Sequence, residues 1–218
     1  MARRSDGPGQ IVILNGVQRS GKTSIAQVIQ ETFPGIWVNV GVDAHIKCTP
    51  PAFRPGVGLR PQKLEWATAV PGRVPVKVLE QFVPLLYAAL YESVAAHARL
   101  GLDVVMDVGH HEAYSQPLRI MPDCARRLAG QPVLFVGVRC PIDVLWARRE
   151  ATWSQVRNEV DDDVRASVHL GVEAVHAHGD YDLEVDTSIL SPGECAERIR
   201  KRLEEGPPGA HFARLVRD

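Results

Sequence analysis

The chain lacks most of the features that would place it in a specialised class. Its four cysteines, Cys48, Cys124, Cys140 and Cys195, are widely spaced and form no C-x-x-C pair. That spacing argues against a zinc knuckle or a dithiol redox motif and fits reduced thiols in a cytoplasmic protein. Charge of one sign is also missing: 25 Lys and Arg stand against 26 Asp and Glu, for a net charge of −1. Without a basic stripe, nucleic acid is not an expected partner. No apolar run approaches the roughly 18 residues of a membrane span. Residues Met1 to Gly9 lack the apolar segment of a signal peptide and read as a short disordered leader. There is no internal repeat and no low-complexity tract. With 218 residues, 45% apolar and 23% charged, the chain can form one three-layer domain, expected over residues 10–205.

Against that plain background one segment stands out. The apolar run Ile11 to Asn15 leads into Gly16-Val17-Gln18-Arg19-Ser20-Gly21-Lys22-Thr23, which is G-x-x-x-x-G-K-T, the phosphate-binding P-loop. A helix-competent stretch from Thr23 through Ser24 to Glu31 follows. Gly16 and Gly21 let the backbone curl so that successive N–H groups point at phosphate oxygens, and the helix adds its positive end. Lys22 suits the β- and γ-phosphates, and the Thr23 hydroxyl suits Mg²⁺. Residues 16–24 are therefore the expected nucleotide-binding segment, with ATP and Mg²⁺ as cofactors. No N-K-x-D guanine-reading motif is present, which argues against a GTPase.

Short apolar runs alternate with helical stretches along the chain. Strands are expected at Ile11–Asn15, Ile36–Val40, Leu102–Met106, Val133–Val138 and Leu183–Val185. Helices are expected near 22–32, 76–100, 114–129, 141–152, 162–176 and 192–205. Such alternation, with nearly all-apolar strands, predicts an α/β fold: a five-stranded parallel sheet covered by helices on both faces. Ligands bind such sheets at the carboxyl ends of strands, which ranks the candidates. The Pro- and Gly-rich stretch 48–75 reads either as an irregular excursion over the active-site face or as a plain surface loop. Gly206-Pro207-Pro208-Gly209 ends the last helix, so 206–218 is expected to be a flexible tail.

Asp43 follows strand 2 and is either a base that orients an acceptor hydroxyl or the N-cap of a helix starting at Ala44. Asp107 ends strand 3, in the place of a Walker B carboxylate that holds Mg²⁺, the alternative being a turn cap. His110, His111 and Glu112 do not share a helical face and give no third ligand, so pocket or solvent-exposed histidines are expected rather than a zinc site. Arg148, Arg149 and Arg157 fall where a lid near 148–165 would close over a triphosphate; each also reads as part of a solvated helix face. His169, His176 and His178 read as packing or surface residues.

Several blocks together resemble the chloramphenicol phosphotransferase family and its relatives: Ile13-Leu14-Asn15-Gly16, the G-K-T loop, Gly41-Val42-Asp43, Val136-Gly137-Val138-Arg139-Cys140, Arg149-Glu150 and Tyr181 through Thr187. The resemblance spans about residues 10–190. It implies a P-loop kinase fold using ATP and Mg²⁺ to phosphorylate a hydroxyl of a small molecule, plausibly chloramphenicol or another antibiotic. It implies Asp43 as catalytic base, Lys22 and Thr23 as phosphate and magnesium residues, and Arg149 as a lid residue; a homo-oligomer is left open. Two features depart from the pattern: Val108 stands where the family has a second acidic residue, and 48–76 shows little likeness. A kinase of a nucleotide-sugar or other metabolite, and a non-catalytic ATP-binding regulator, are the alternatives.

Overall fold

The short apolar runs become a sheet and the amphipathic stretches become its covering. The computed structural model describes residues 7–54, 74–110, 119–153 and 162–217. Its elements run β1 (Ile11–Asn15), α1 (Lys22–Thr32), β2 (Trp37–Asn39), α2 (Val42–Ile46), a 3-10 turn (Pro51–Phe53), α3 (Val76–Arg99), β3 (Asp103–Val108), α4 (Ile120–Arg127), β4 (Val133–Arg139), α5 (Ile142–Trp153), α6 (Asp162–His176), β5 (Leu183–Asp186), α7 (Pro192–Glu205) and α8 (His211–Leu215). The strands form one sheet in the order β2-β3-β1-β4-β5, and every pair is parallel.

Because side chains alternate along a strand, β1 feeds two cores. Ile11 and Ile13 join a cluster with α3, α4 and Phe212 of α8, while Val12 and Leu14 join α1 and α7 on the other face. Fully burying each such aliphatic side chain is worth about 1.5–3 kcal/mol. The ends of α7 are written in the sequence: Ser191 and Glu194 form a reciprocal capping box, Pro192 sits at the first turn and Gly206 ends the helix.

Three expectations are corrected. β2 covers Trp37–Asn39 rather than Ile36–Val40, and Ile36 is exposed; the ladder continues around it through Asp103 N–H to Ile36 O at 3.0 Å and Val40 N–H to Val105 O at 3.0 Å. β3 runs on to Val108, since Val108 stays in register with Asn15, so Asp107 lies within the strand, opposite Leu14. The tail is not loose: α8 packs with His211 and Phe212 buried, and Asp182 accepts the Ala210 and His211 N–H groups at 2.7 and 3.0 Å. An apolar residue after the helix break gave the chain a reason to return to the core. The described part of the helix expected at 114–129 starts at Ile120, and residues 114–118 lie outside the described segments.

Candidate active site

The carboxyl ends of β1, β2 and β3 converge on the loop between β1 and α1. Gly16 N–H donates to Val108 O at 3.3 Å, tying the loop to β3. A Cβ on Gly16 would come within 2.7 Å of both Ser20 Oγ and Val138 O, so a side chain there would force the loop open. Arg19 (φ 70°) and Gly21 (φ 91°) both take left-handed conformations. For Arg19 that costs on the order of 1–2 kcal/mol, which surrounding contacts must offset. The Val17 side chain is buried against Cys140, Leu145 and Val175, leaving only its backbone for a ligand. Ser20 is buried as well, whereas Ser24 is exposed in the first turn of α1. Gly21 caps α1 without a side-chain bond, so the amide end of that helix faces the loop.

Lys22 Nζ donates to Gly16 O at 2.9 Å and Val17 O at 2.8 Å, which holds its ammonium at the loop's centre. Thr23 Oγ1 donates to Asp107 Oδ2 at 2.9 Å. This pair of hard oxygen donors, exposed at the edge of the loop, fits Mg²⁺, which takes one or two protein oxygens and completes its shell with phosphate and water. It does not fit an all-protein cage, and among the described residues no group of three His, Cys, Asp or Glu could hold a metal ion. Val108, by contrast, is buried in the apolar core on the opposite face, so the carboxylate at this strand end comes from Asp107 alone.

Asp43 lies in the first turn of α2 and is exposed. The N-cap of that helix is Gly41, so the capping alternative for Asp43 does not hold. Gly41 is pressed onto Asp107: a Cβ there would lie 1.8 Å from Asp107 Oδ1. The chain of contact runs Thr23, Asp107, Gly41, and Asp43 follows two residues on.

Two arginines of α5 reach the loop from the other side. The Arg148 guanidinium donates to Arg19 O at 3.2 Å, Thr187 Oγ1 at 3.0 Å and Thr187 O at 2.7 Å. Thr187 Oγ1 in turn donates to Ser20 O at 2.9 Å. Arg149, 6% exposed, donates to Gln18 Oε1 at 3.0 Å. Burial, and then the neighbouring Arg19 charge, lower its pKa from the ordinary value. Neither arginine belongs to a solvated helix face. Arg157, with the rest of residues 154–161 of the expected 148–165 lid, lies outside the described residues.

His110 is not solvent-exposed. It is buried, with Nε2 2.7 Å from Tyr91 Oη and its ring 4.8 Å from that of Tyr87. His111 and Glu112 lie outside the described residues. His169 is exposed, whereas His176 and His178 are half-buried around Tyr181 and burial pushes both pKa values down to about 4. Sequence reasoning assigned no role to Thr187, although it stands just past β5 at the carboxyl edge, the position that ranked the other candidates. It also missed the Asn15 side chain, because a polar residue closing an apolar strand has no periodic signal. A cleft of about 730 Å³ near Trp37, Leu100 and Arg200 lies at the opposite edge of the sheet and includes none of these groups.

Known proteins place the fold and the family. A deinococcal tunicamycin resistance protein (Deinococcus radiodurans) superposes with a TM-score of 0.60 at 15% identity, covering 92% of this chain and 98% of that one. The APS kinase of Mycobacterium tuberculosis, solved in complex with AMPPNP and APS, gives 0.55 at 14% identity, covering 91% and 99%. At those identities the likeness shows the fold, which is that of P-loop kinases. A Mycobacterium tuberculosis (strain H37Rv) protein provisionally named an O-phosphotransferase is 28% identical over 221 residues, covering 95% of this chain and 88% of its own. The model of the chloramphenicol phosphotransferase-like family matches residues 9–204. The fold and these relatives mark a phosphotransferase acting on hydroxyl groups. The match runs from two residues before β1 to the last turn of α7, and so the chain belongs to the chloramphenicol phosphotransferase-like family.

Proposed function

We propose that the protein transfers the γ-phosphoryl group of ATP, with Mg²⁺, to a hydroxyl of a small molecule, and that chloramphenicol is the first acceptor to test, followed by other hydroxyl-bearing antibiotics. The observation that carries this reading is the line of groups from the P-loop to α2: Lys22 on the loop carbonyls, Thr23 bonded to Asp107, and Gly41 packed on Asp107. In this reading these groups serve as a phosphate site, a metal site and an exposed carboxylate, in succession along one sheet edge. The family description and the ATP analogue bound by a structural neighbour support the same choice of substrates.

In this reading the backbone amides of residues 16–21 and Lys22 hold the phosphates, and Thr23 with Asp107 would hold Mg²⁺. The ion, when bound, neutralises charge on the transferred group. Asp43 accepts the proton of the acceptor hydroxyl, or orients that hydroxyl in line with the γ-phosphorus. Arg149, buried beside Gln18, adds positive charge at the loop, and its burial in a region of low dielectric strengthens that charge's effect on a transferring phosphoryl group. Arg148 acts through the Arg19 and Thr187 contacts. A cytoplasmic location follows from the reduced-thiol reading of the cysteines.

The test is ADP release from Mg-ATP with and without chloramphenicol, in the wild type and in Asp43→Asn. Stimulation that falls by about 10²–10⁴-fold in the variant, with Mg-ATP affinity held within about twofold, fits the reading. An unchanged kcat in the variant removes Asp43 from the mechanism. No stimulation by chloramphenicol in the wild type removes that acceptor and moves the screen to other antibiotics, nucleotide-sugars and metabolites. Mg-ATP binding with no acceptor-dependent release across the whole panel would favour a regulatory role.

A further inference from the structure

Asn15, the last residue of β1, is fully buried, and its side chain meets three other segments. Its Oδ1 accepts the His110 N–H at 2.7 Å, just beyond β3. Its Nδ2 lies 2.9 Å from Tyr181 Oη and 3.1 Å from Val175 O, with His178 Nε2 at 3.3 Å and His110 O at 3.5 Å behind them. An amide has two N–H hydrogens, and the two shortest contacts, to Tyr181 and Val175, take them. Val175 is next to last in α6, so its carbonyl is one that the helix leaves without an internal partner. Tyr181 is itself fixed: its ring covers Gly137, where a Cβ would come within 2.6 Å, and its hydroxyl lies 2.7 Å from His176 Nδ1.

This network sits one residue before Gly16 and three residues after Asp107. A buried apolar side chain would fill the same volume, but it would remove the bond to the His110 N–H and leave the Val175 carbonyl to the Tyr181 hydroxyl, which also donates to it at 3.1 Å. Burying an amide here instead is therefore expected to serve a purpose beyond packing. We infer that Asn15 is a positioning residue for phosphoryl transfer: its amide holds the start of the phosphate-binding loop in register with the exit of β3, which carries Asp107, and with the end of α6. The inference rests on the nucleotide reading above.

The test measures Mg-ATP affinity by calorimetry, well below the thermal midpoint, for the full chain as wild type, Asn15→Leu, Asn15→Asp and Tyr181→Phe, with the midpoint recorded separately. Asn15→Leu should weaken Mg-ATP by about tenfold. Tyr181→Phe, which keeps the ring over Gly137, should weaken it a few-fold. Asn15→Asp sets a buried carboxylate against Val175 O, which raises its pKa. Protonation would restore one donor, so its affinity relative to wild type should recover several-fold from about pH 8 to about pH 5.5. The titratable and charged groups around that carboxyl are Lys22 on the loop carbonyls, His110 beyond β3, His176 of α6, His178, Tyr181 and His211, Arg139 of β4 and Glu184 of β5. In the wild type, burial lowers the pKa values of His176 and His178 to about 4, so both are neutral through that window.

Variants that bind Mg-ATP as the wild type does at every pH, while only their midpoints fall, would reduce Asn15 to a packing residue and overturn the inference. If Asn15→Leu does not fold, the pH-dependent ratio for Asn15→Asp and the loss in Tyr181→Phe decide in the same way. A wild type that fails to bind Mg-ATP would overturn the nucleotide reading, and this inference with it.

Discussion

Around the P-loop, side chains from β1, α5 and the end of β5 act as braces: Asn15 ties the base of the loop to the His110 N–H, Arg148 and Thr187 bond the Arg19 and Ser20 carbonyls, and Arg149 bonds the Gln18 side chain. Across the sheet edge, Asp43 rides exposed on a five-residue helix whose N-cap, Gly41, offers no side-chain bond. The phosphate side carries its own geometry, including a strained Arg19, because several neighbours over-determine it. On the proposed acceptor side, the Asp43 carboxylate is exposed among the described residues. The proposed phosphoryl transfer would account for the difference: a triphosphate that is the same in every turnover rewards preorganisation, whereas acceptor recognition is where members of a fold diverge.

That contrast can be broken by experiment. Among the groups around the loop, the largest effect is expected from Lys22→Ala. Its ammonium is the charge centred on the loop, and removing one preorganised charge from a transferring group costs on the order of 10²–10³ in kcat. Retained acceptor-dependent turnover in that variant would mean that the braced side is not the phosphate site. Thr187→Val should come next. It keeps the shape but loses the hydroxyl links to Ser20 O and Arg148, for about 1–3 kcal/mol, seen as a raised KM for ATP with kcat nearly unchanged. Thr187→Ser should restore it; failure of the serine to do so would assign the effect to methyl packing.

The smallest effect concerns pH and stability rather than turnover. His176 and His178 have folded pKa values lowered by burial to about 4, below the ordinary 6.5 of an unfolded histidine. Between those values the unfolded chain binds more protons than the folded one, so stability falls as pH drops from about 6.5 towards 4. Thermal midpoints measured across that range should decline, and a His178→Gln variant should decline less steeply. Equal slopes would place the loss in carboxylates elsewhere.

Much of the fold was legible because it is written in local signals. The β1 limits, the start of α1 and the capping box of α7 follow from apolar runs, a glycine and a Ser-Pro-Gly-Glu sequence that act within a few residues. Boundaries failed where a neighbour decided them. Val108 is strand because Asn15 pairs with it, and α8 docks because Phe212 finds Tyr91 and Phe135. In the site, the P-loop motif pointed to Lys22 and Thr23, and the expected place of Asp107 at the end of strand 3 made it a magnesium candidate; its bond to Thr23 came only with the fold. Thr187 and the Asn15 amide were not legible, since their partners lie 167 residues and up to 166 residues away along the chain.

The sequence by itself determined that this chain would form a parallel α/β sheet with a phosphate-binding loop after its first strand. Periodicity and glycine spacing are properties of neighbouring residues, and they carry over directly into strand, turn and helix. The tertiary structure alone decided which side chains hold that loop in place and that His110 would be buried rather than open to solvent. It also decided that the carboxyl-terminal residues would join the core. Those outcomes depend on which distant segments the strand order brings together, and on the cost of leaving buried polar groups unpaired once it has.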